Sequence, residues 1–295
     1  MSRFLKSTVL RMVHRAIRPF IKPDRIIQNP YIAGKIFPMQ EEGEYFIVEK
    51  PNVVAGRSSD EDSRVPPPEL RLGYGNTPEE YLASGRRDVE SMLAILAQAG
   101  ENSETLSRVL ELGCATGRML RFYPHHQNQS EIWGVDIMSN HISWCQQNLS
   151  PRIQFATTTT APHLPFEDNY FDLVYCGSVF THVSDLADAW FLELRRILRK
   201  GGYMYITIHD QNSIKVLLEE YQDKSYLVPM IREIDAKTSV LSKNYESFSI
   251  NSDPYSQVFY DAQYLIDKWS SFAEFVSKTE SAYGYQTALL FRKSL

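Results

Sequence analysis

VLELGCATGR, residues 109–118, joins two kinds of local structure. Val109, Leu110 and Leu112 form a short apolar run that reads as a buried parallel strand, and the glycines at 113 and 117 open a bend from which a helix is expected near Arg118. Without a Cβ at 113 and 117, the backbone can turn sharply there and leave N–H groups facing a ligand at the carboxyl end of the strand. A dinucleotide site would show GxGxxG around a pyrophosphate. Here the spacing is ExGxxxG, and the leading acid, Glu111, repels phosphate and suits a cationic or amine-bearing ligand. A NAD-dependent dehydrogenase is disfavoured on both grounds.

Moving outward, strands and helices alternate from residue 107, which calls for a doubly wound α/β sheet. A second strand at 131–135 ends in Asp136, placed to accept hydrogen bonds from ribose hydroxyls. Ser139 is expected to cap the next helix, through Ile142, Cys145 and Leu149. A third strand over 153–156 runs into Thr157–Thr160. In HLPFEDNYFDLVYCGSVFTHV, residues 163–183, a turn around Pro165 and Asn169 leads into a fourth strand at 171–176. Ser178, Phe180 and His182 follow its carboxyl end. A helix capped by Ser184 is expected to stop at Lys200-Gly201-Gly202, before a fifth strand at 203–208 and His209-Asp210. From residue 260 the pattern is helix, strand, strand.

The two stretches at 109–118 and 163–183, with Asp136 between them, resemble the class I S-adenosylmethionine-dependent methyltransferases. The resemblance covers residues 77–295. It implies a Rossmann-like, mostly parallel seven-stranded sheet ending in an antiparallel hairpin. It further implies S-adenosylmethionine as cofactor, held by Glu111, Gly113, Cys114, Ala115, Gly117, Asp136, Ile137, Thr158 and Ser178. Where the family usually has an acid touching the adenine amine, this chain has threonines. The Asn/Asp-Pro-Pro-Tyr/Phe sequence of amino-methylating nucleic-acid enzymes is absent, as is the Pro-Cys nucleophile of cytosine C5 enzymes. No acid ends the fourth strand, where magnesium-dependent relatives keep a ligand; Asp172 is at its start. A metal-independent site is expected.

Methyl transfer to a hydroxyl needs a proton removed, and histidine titrates in the right range. His182 and His209 are the candidate bases, with Asp210 as a candidate orienter. The expected acceptor is a hydroxyl of a sugar, glycan or small secondary metabolite. Carboxyl, amine and peptide acceptors stay open, as does a non-catalytic cofactor-binding adaptor. Residues 211–256 exceed an ordinary crossover, and Tyr226, Met230, Ile231, Tyr245, Phe248 and Tyr255 make them a lid with aromatic lining or a small core of its own.

Lys plus Arg number 31 against 36 Asp plus Glu, a net charge of -5, so no nucleic-acid partner is expected. Cys114, Cys145 and Cys176 show no paired or zinc-type spacing and fit a reducing, cytoplasmic setting. Residues 1–23 carry six cations, no acid and an apolar face at helical spacing, which fits peripheral contact with an anionic inner membrane face or self-association. Residues 1–76 read as an extension whose end, 50–76, is a connecting segment. Thr77, Pro78 and Glu80 then signal a helix start. That helix is expected against the sheet edge, with Tyr81, Gly85 and Arg86 covering the cofactor's amino acid end.

Overall fold

The computed structural model describes residues 64–102, 105–124, 131–222, 224–250 and 256–294. The amphipathic segment 1–23, most of the connecting segment and Tyr255 lie outside them. Seven strands form one sheet: β1 (Arg108–Leu112), β2 (Glu131–Asp136), β3 (Ile153–Thr157), β4 (Phe171–Cys176), β5 (Leu198–Ile208), β8 (Glu274–Tyr283) and β9 (Gln286–Arg292). Their order is β3-β2-β1-β4-β5-β9-β8, parallel from β3 through β5, with β9 antiparallel to both β5 and β8. β1, β4 and β5 carry near-continuous apolar runs because both of their faces are covered. β8 is an edge strand, and its outer positions carry Glu274, Lys278 and Glu280, charges that discourage further strand pairing.

Helix α1 (Pro78–Gln98) starts as its residues dictate: Thr77 accepts from the Glu80 N–H and Glu80 reaches back, with Pro78 at the first position. Its apolar stripe, Val89, Met92, Ile95 and Leu96, joins a core cluster with Val109, Leu173, Tyr175, Tyr205 and Leu290. Ser91 of the helix donates to the Ala282 carbonyl of β8 at 2.9 Å, so the helix lies on one sheet face against the edge strand. Helix α2 (Ser139–Asn148) shares that face. On the other face, α3 (Ala187–Ile197) and α6 (Ala262–Trp269) supply Trp190, Phe191, Leu194, Leu265 and Trp269 to a second cluster. Each such buried side chain is worth roughly 1.5–3 kcal/mol of transfer free energy.

Four local expectations are corrected. Gly117 is followed by turns and a 3-10 helix, Leu120–Phe122, not by an α-helix. Pro124 forces Tyr123 into an extended conformation, which leaves too few residues for α-helical turns. Ser139 is the first residue of α2, not its cap: Met138 holds the cap position, and the Asp136 Oδ1 accepts the Met138 N–H at 2.7 Å. Ser184 does not cap α3, which begins at Ala187 after Leu186. β5 also starts at Leu198, directly after α3, so Lys200-Gly201-Gly202 lies inside the strand as a register shift, with Gly201 at φ 76°.

Between β5 and α6 the chain forms helices α4 (Gln211–Glu220) and α5 (Leu227–Thr238) and a two-stranded ribbon, β6 (Ser247–Ile250) with β7 (Gln257–Tyr260). Ile214, Leu217, Leu227, Val228, Ile231, Ile250 and Phe259 pack as its own core, with Met230 and Phe248 against it. Tyr221, Tyr226 and Met230 of this insertion also line the main cavity.

Candidate active site

The strand order reverses between β1 and β4, and in such sheets ligands bind at the carboxyl ends beside that reversal. A cavity of about 1190 Å³ opens there. Of the expected cofactor residues, Glu111, Gly113, Cys114, Ala115, Asp136, Ile137, Thr158 and Ser178 all line it. Gly117 is not among the lining residues. It has φ 66°, and a Cβ there would sit 2.5 Å from Leu149 Cδ1, so this glycine permits the turn and lets α2 approach. Gly113 is similar in conformation, with φ 74°, but a Cβ on it would meet Val179 at 2.4 Å on the cavity wall.

At the β1 end, Glu111 is only 4% exposed and accepts a hydrogen bond from the Tyr175 hydroxyl at 3.1 Å. Burial pushes its pKa up to about 8, against the opposing pull of Arg118 and the Tyr175 hydroxyl. A cation arriving beside this carboxyl would reverse the shift. At the β2 end, Asp136 takes the Ala115 N–H on Oδ2 at 2.8 Å and the Met138 N–H on Oδ1 at 2.7 Å. A carboxylate has about four acceptor sites, and with the Ile137 backbone also drawing on it one remains for a hydroxyl donor. Burial raises its pKa, opposed by those backbone bonds. Past β3, Thr158, Thr159 and Thr160 line the cavity, and the Thr160 hydroxyl is buried without a partner. Burial holds the Cys114 thiol well above its ordinary value, which makes it part of the wall, not a nucleophile.

A polar network that sequence reasoning missed closes the Glu111 end. Arg118, 4% exposed, pairs with Asp88 at 2.7 Å, donates to the Ser84 hydroxyl at 3.1 Å and to the Tyr283 hydroxyl, and lies 4.0 Å from the centre of the Tyr74 ring. Tyr81 bonds the Thr116 hydroxyl at 2.7 Å. Of the α1 residues expected here, Tyr81 lines the cavity, Gly85 makes room for Arg118, and Arg86 instead stacks outside on Phe122. The available signal for Arg118 was its position next to Gly117; its partners are 30 or more residues away in either direction and left no local trace.

At the acceptor end, His182 and His209 both line the cavity. His182 Nδ1 is 2.9 Å from the Ser256 carbonyl, the shorter of its two polar contacts, and a carbonyl can only accept. Nδ1 therefore carries the proton and Nε2 keeps its lone pair. The surrounding protein lowers the pKa below the usual histidine value, although part of the side chain is open to solvent. His209 is 1% exposed and stacks on Phe259 and Tyr285; neither ring nitrogen makes a well-formed hydrogen bond, although the Val258 backbone lies close enough to favour its protonated form. Burial, with His182 nearby, lowers its pKa to about 3, so it is neutral and a feeble base. Asp210 is corrected as an orienter: its Oδ1 caps α4, taking the Ser213 N–H at 3.0 Å and the Thr287 hydroxyl at 2.9 Å. The Ser178 hydroxyl is likewise engaged, by Gln286 at 2.8 Å.

Comparison with known proteins agrees with this geometry. Residues 110–206 match the family model described as a methyltransferase domain. This segment is a class I S-adenosylmethionine-dependent methyltransferase domain. An uncharacterized methyltransferase of Schizosaccharomyces pombe is 25% identical over 166 residues, 52% of this chain and 58% of that protein. A fatty-acid O-methyltransferase of Mycolicibacterium smegmatis is 30% identical over 141 residues, 47% of this chain and 51% of the relative. The chain thus spans little more than half the length of these curated relatives. A solved structure of a Pyrococcus horikoshii OT3 protein aligns over 70% of this chain and 91% of its own, with TM-score 0.49 and 18% identity. In this methyltransferase domain the residues expected to hold the cofactor lie at or just past the ends of β1, β2, β3 and β4. The histidines come from the end of β4 and the end of β5. No helix among the described residues is long and apolar enough to cross a membrane.

Proposed function

We propose that this protein transfers a methyl group from S-adenosylmethionine to a hydroxyl of a small acceptor, a sugar or secondary metabolite, with His182 as general base. The residues present fit the cofactor: Glu111 is a buried carboxyl in want of a cation, and Asp136 keeps an acceptor site open toward the cavity. Glu111 would hold the ammonium of the amino acid end, Asp136 the ribose, and Ile137 with Thr158 the adenine. When bound, the cofactor supplies a methyl group on a cationic sulfur, which an acceptor oxygen displaces in line so that the sulfur leaves neutral.

The observation that carries the hydroxyl reading is the His182 tautomer. Its Nδ1–H is tied to Ser256, so the ring is oriented and Nε2 can take a proton from an acceptor hydroxyl. The lowered pKa keeps that nitrogen unprotonated near neutrality. A second reading, methylation of a carboxylate on an apolar chain, is supported by Leu72, Leu186 and Tyr226, exposed apolar side chains on the cavity lining. The fatty-acid O-methyltransferase among the relatives points the same way. Contact of residues 1–23 with an anionic membrane surface would suit either reading.

The test is calorimetric titration with S-adenosylhomocysteine, with NAD in parallel, followed by methyl transfer from labelled cofactor to hydroxyl and carboxylate acceptors. Binding of S-adenosylhomocysteine alone and transfer to a hydroxyl are expected. Binding of NAD, or of neither, overturns the assignment, and transfer to carboxylates alone replaces it with the second reading.

A further inference from the structure

Among the described residues seven large apolar side chains are exposed, and four of them, Leu72, Met138, Leu186 and Tyr226, line the cavity at the carboxyl ends of the strands. Their exposures are 57%, 37%, 38% and 65%. They come from four separate stretches: Met138 follows β2, Leu186 follows β4, and Tyr226 stands in the insertion after β5. Leu72 joins them because the Leu70 carbonyl accepts the hydroxyl of Thr116, just past β1, at 3.3 Å. All four therefore ring one face, the mouth of the cavity. Single exposed apolar side chains need no explanation, but a group of them around a cleft marks an interaction surface.

Local structure favours none of the four. Met138, Leu186 and Tyr226 hold the N-cap positions of α2, α3 and α5, and none makes a side-chain capping bond. Ser, Thr, Asn or Asp there would satisfy a first-turn N–H. Leu72 has φ 53°, a left-handed conformation that leucine rarely adopts. Its neighbour holds the turn in place: Arg71 donates to the Pro66 and Asn76 carbonyls, each at 3.0 Å. Turn and cap chemistry work against these residue types, and burial does not reward them. What they touch lies outside the fold.

Charge selects the partner. Arg87 and Lys224 are exposed on the same lining, with Asp185 as the exposed acid among them. Residues 1–23 carry six cations and no acid in a chain whose net charge is -5. The chain leading from them meets the described structure at Arg64, whose carbonyl accepts from Arg121, and Leu72 follows eight positions later. An apolar rim with cations beside it, joined to a basic amphipathic stretch, matches anionic lipid: apolar side chains enter the interface and cations meet the headgroups.

We propose that the cavity mouth docks on an anionic lipid surface through Leu72, Met138, Leu186 and Tyr226. Docking needs no cofactor. It also sets a route for the acceptor, since His182 lines the cavity four positions before Leu186; that route rests on the function proposed above.

The test is cosedimentation of the full chain with vesicles of phosphatidylcholine and phosphatidylglycerol, and of phosphatidylcholine alone. Binding to the mixed vesicles should be tighter by about tenfold or more, since each Lys or Arg near an anionic surface adds about fivefold. Leu72→Gly, Met138→Ser and Leu186→Ser combined put residues that suit the local backbone at three rim positions. The thermal melt should hold or rise, while binding to mixed vesicles falls by about tenfold or more. In a separate variant, Leu186→Trp should add tryptophan fluorescence that brominated phosphatidylcholine in the mixed vesicles quenches, beyond the quenching seen in the wild type. No vesicle binding by the wild type overturns the proposal, as does equal binding to phosphatidylcholine alone. Binding that survives the triple substitution, as binding through residues 1–23 alone would, overturns it too, and so does an indole at 186 that is not quenched. A wild type that docks but does not bind S-adenosylhomocysteine would sink the proposed function and leave the docking surface standing.

Discussion

Glu111 offers the sharpest quantitative test of the cofactor end. In the free protein its pKa is pushed up to about 8 by burial, so at pH 7 about 0.9 of the carboxyls are protonated. An ammonium group placed against Glu111 would pull the pKa back toward or below the ordinary value of 4.5. Binding of S-adenosylhomocysteine at pH 7 should therefore release about 0.9 proton. Below pH 8 affinity should rise about tenfold per pH unit, since each unit of pKa shift is worth about 1.4 kcal/mol. Titration calorimetry in two buffers of different ionisation enthalpy measures the proton count directly. Glu111→Gln should abolish both the release and this part of the pH dependence. Stability of the free protein runs the opposite way with pH. The folded pKa of this acid is raised, so its contribution is most favourable below pH 4.5 and declines as pH rises to 8. Equal enthalpies in the two buffers, or the same proton release from Glu111→Gln, would refute the placement of an ammonium at this carboxyl.

Other outcomes follow from the remaining site residues. Asp136→Ala should weaken S-adenosylhomocysteine binding roughly tenfold to a hundredfold, because hydrogen bonds to a charged acceptor are worth about 1.5–3 kcal/mol each; calorimetric titration checks it. His182→Ala should leave that affinity intact and cut turnover of a hydroxyl acceptor by about 10²- to 10⁴-fold. In the wild type, the rate should fall only as pH drops through a value below 6.5, because His182 is active when neutral and its pKa is lowered; a pH–rate profile tests the sign. Gly117→Ala should destabilise the fold by about 1–3 kcal/mol, through its φ of 66° and the Leu149 contact. A thermal melt should shift down by several degrees while cofactor affinity changes little.

Much of the architecture was legible because parallel strands buried on both faces must be apolar throughout. β1, β2, β3 and β4 were readable within a residue or two, and the Thr77 to Glu80 capping box marks its helix start by local chemistry alone. Local signals failed where distant partners decide. Gly117 looks like a ligand glycine in the sequence, but Leu149 occupies the space beside it. Asp210 follows His209 directly, yet its oxygen turns to Ser213 and to Thr287 on β9. Gly201 and Gly202 look like a helix stop but are absorbed into β5 by pairing with neighbouring strands.

The sequence by itself determined the sheet, its switch point and the residue types at the strand ends, because these depend on periodicity and on chemistry within a few positions. Only the tertiary structure gives two similar histidines different surroundings. His182 meets the Ser256 carbonyl, which fixes its proton, while His209 is buried between Phe259 and Tyr285. Those neighbours come from 50 to 76 positions further along the chain, and burial and hydrogen bonding, not residue type, set the basicity of an imidazole.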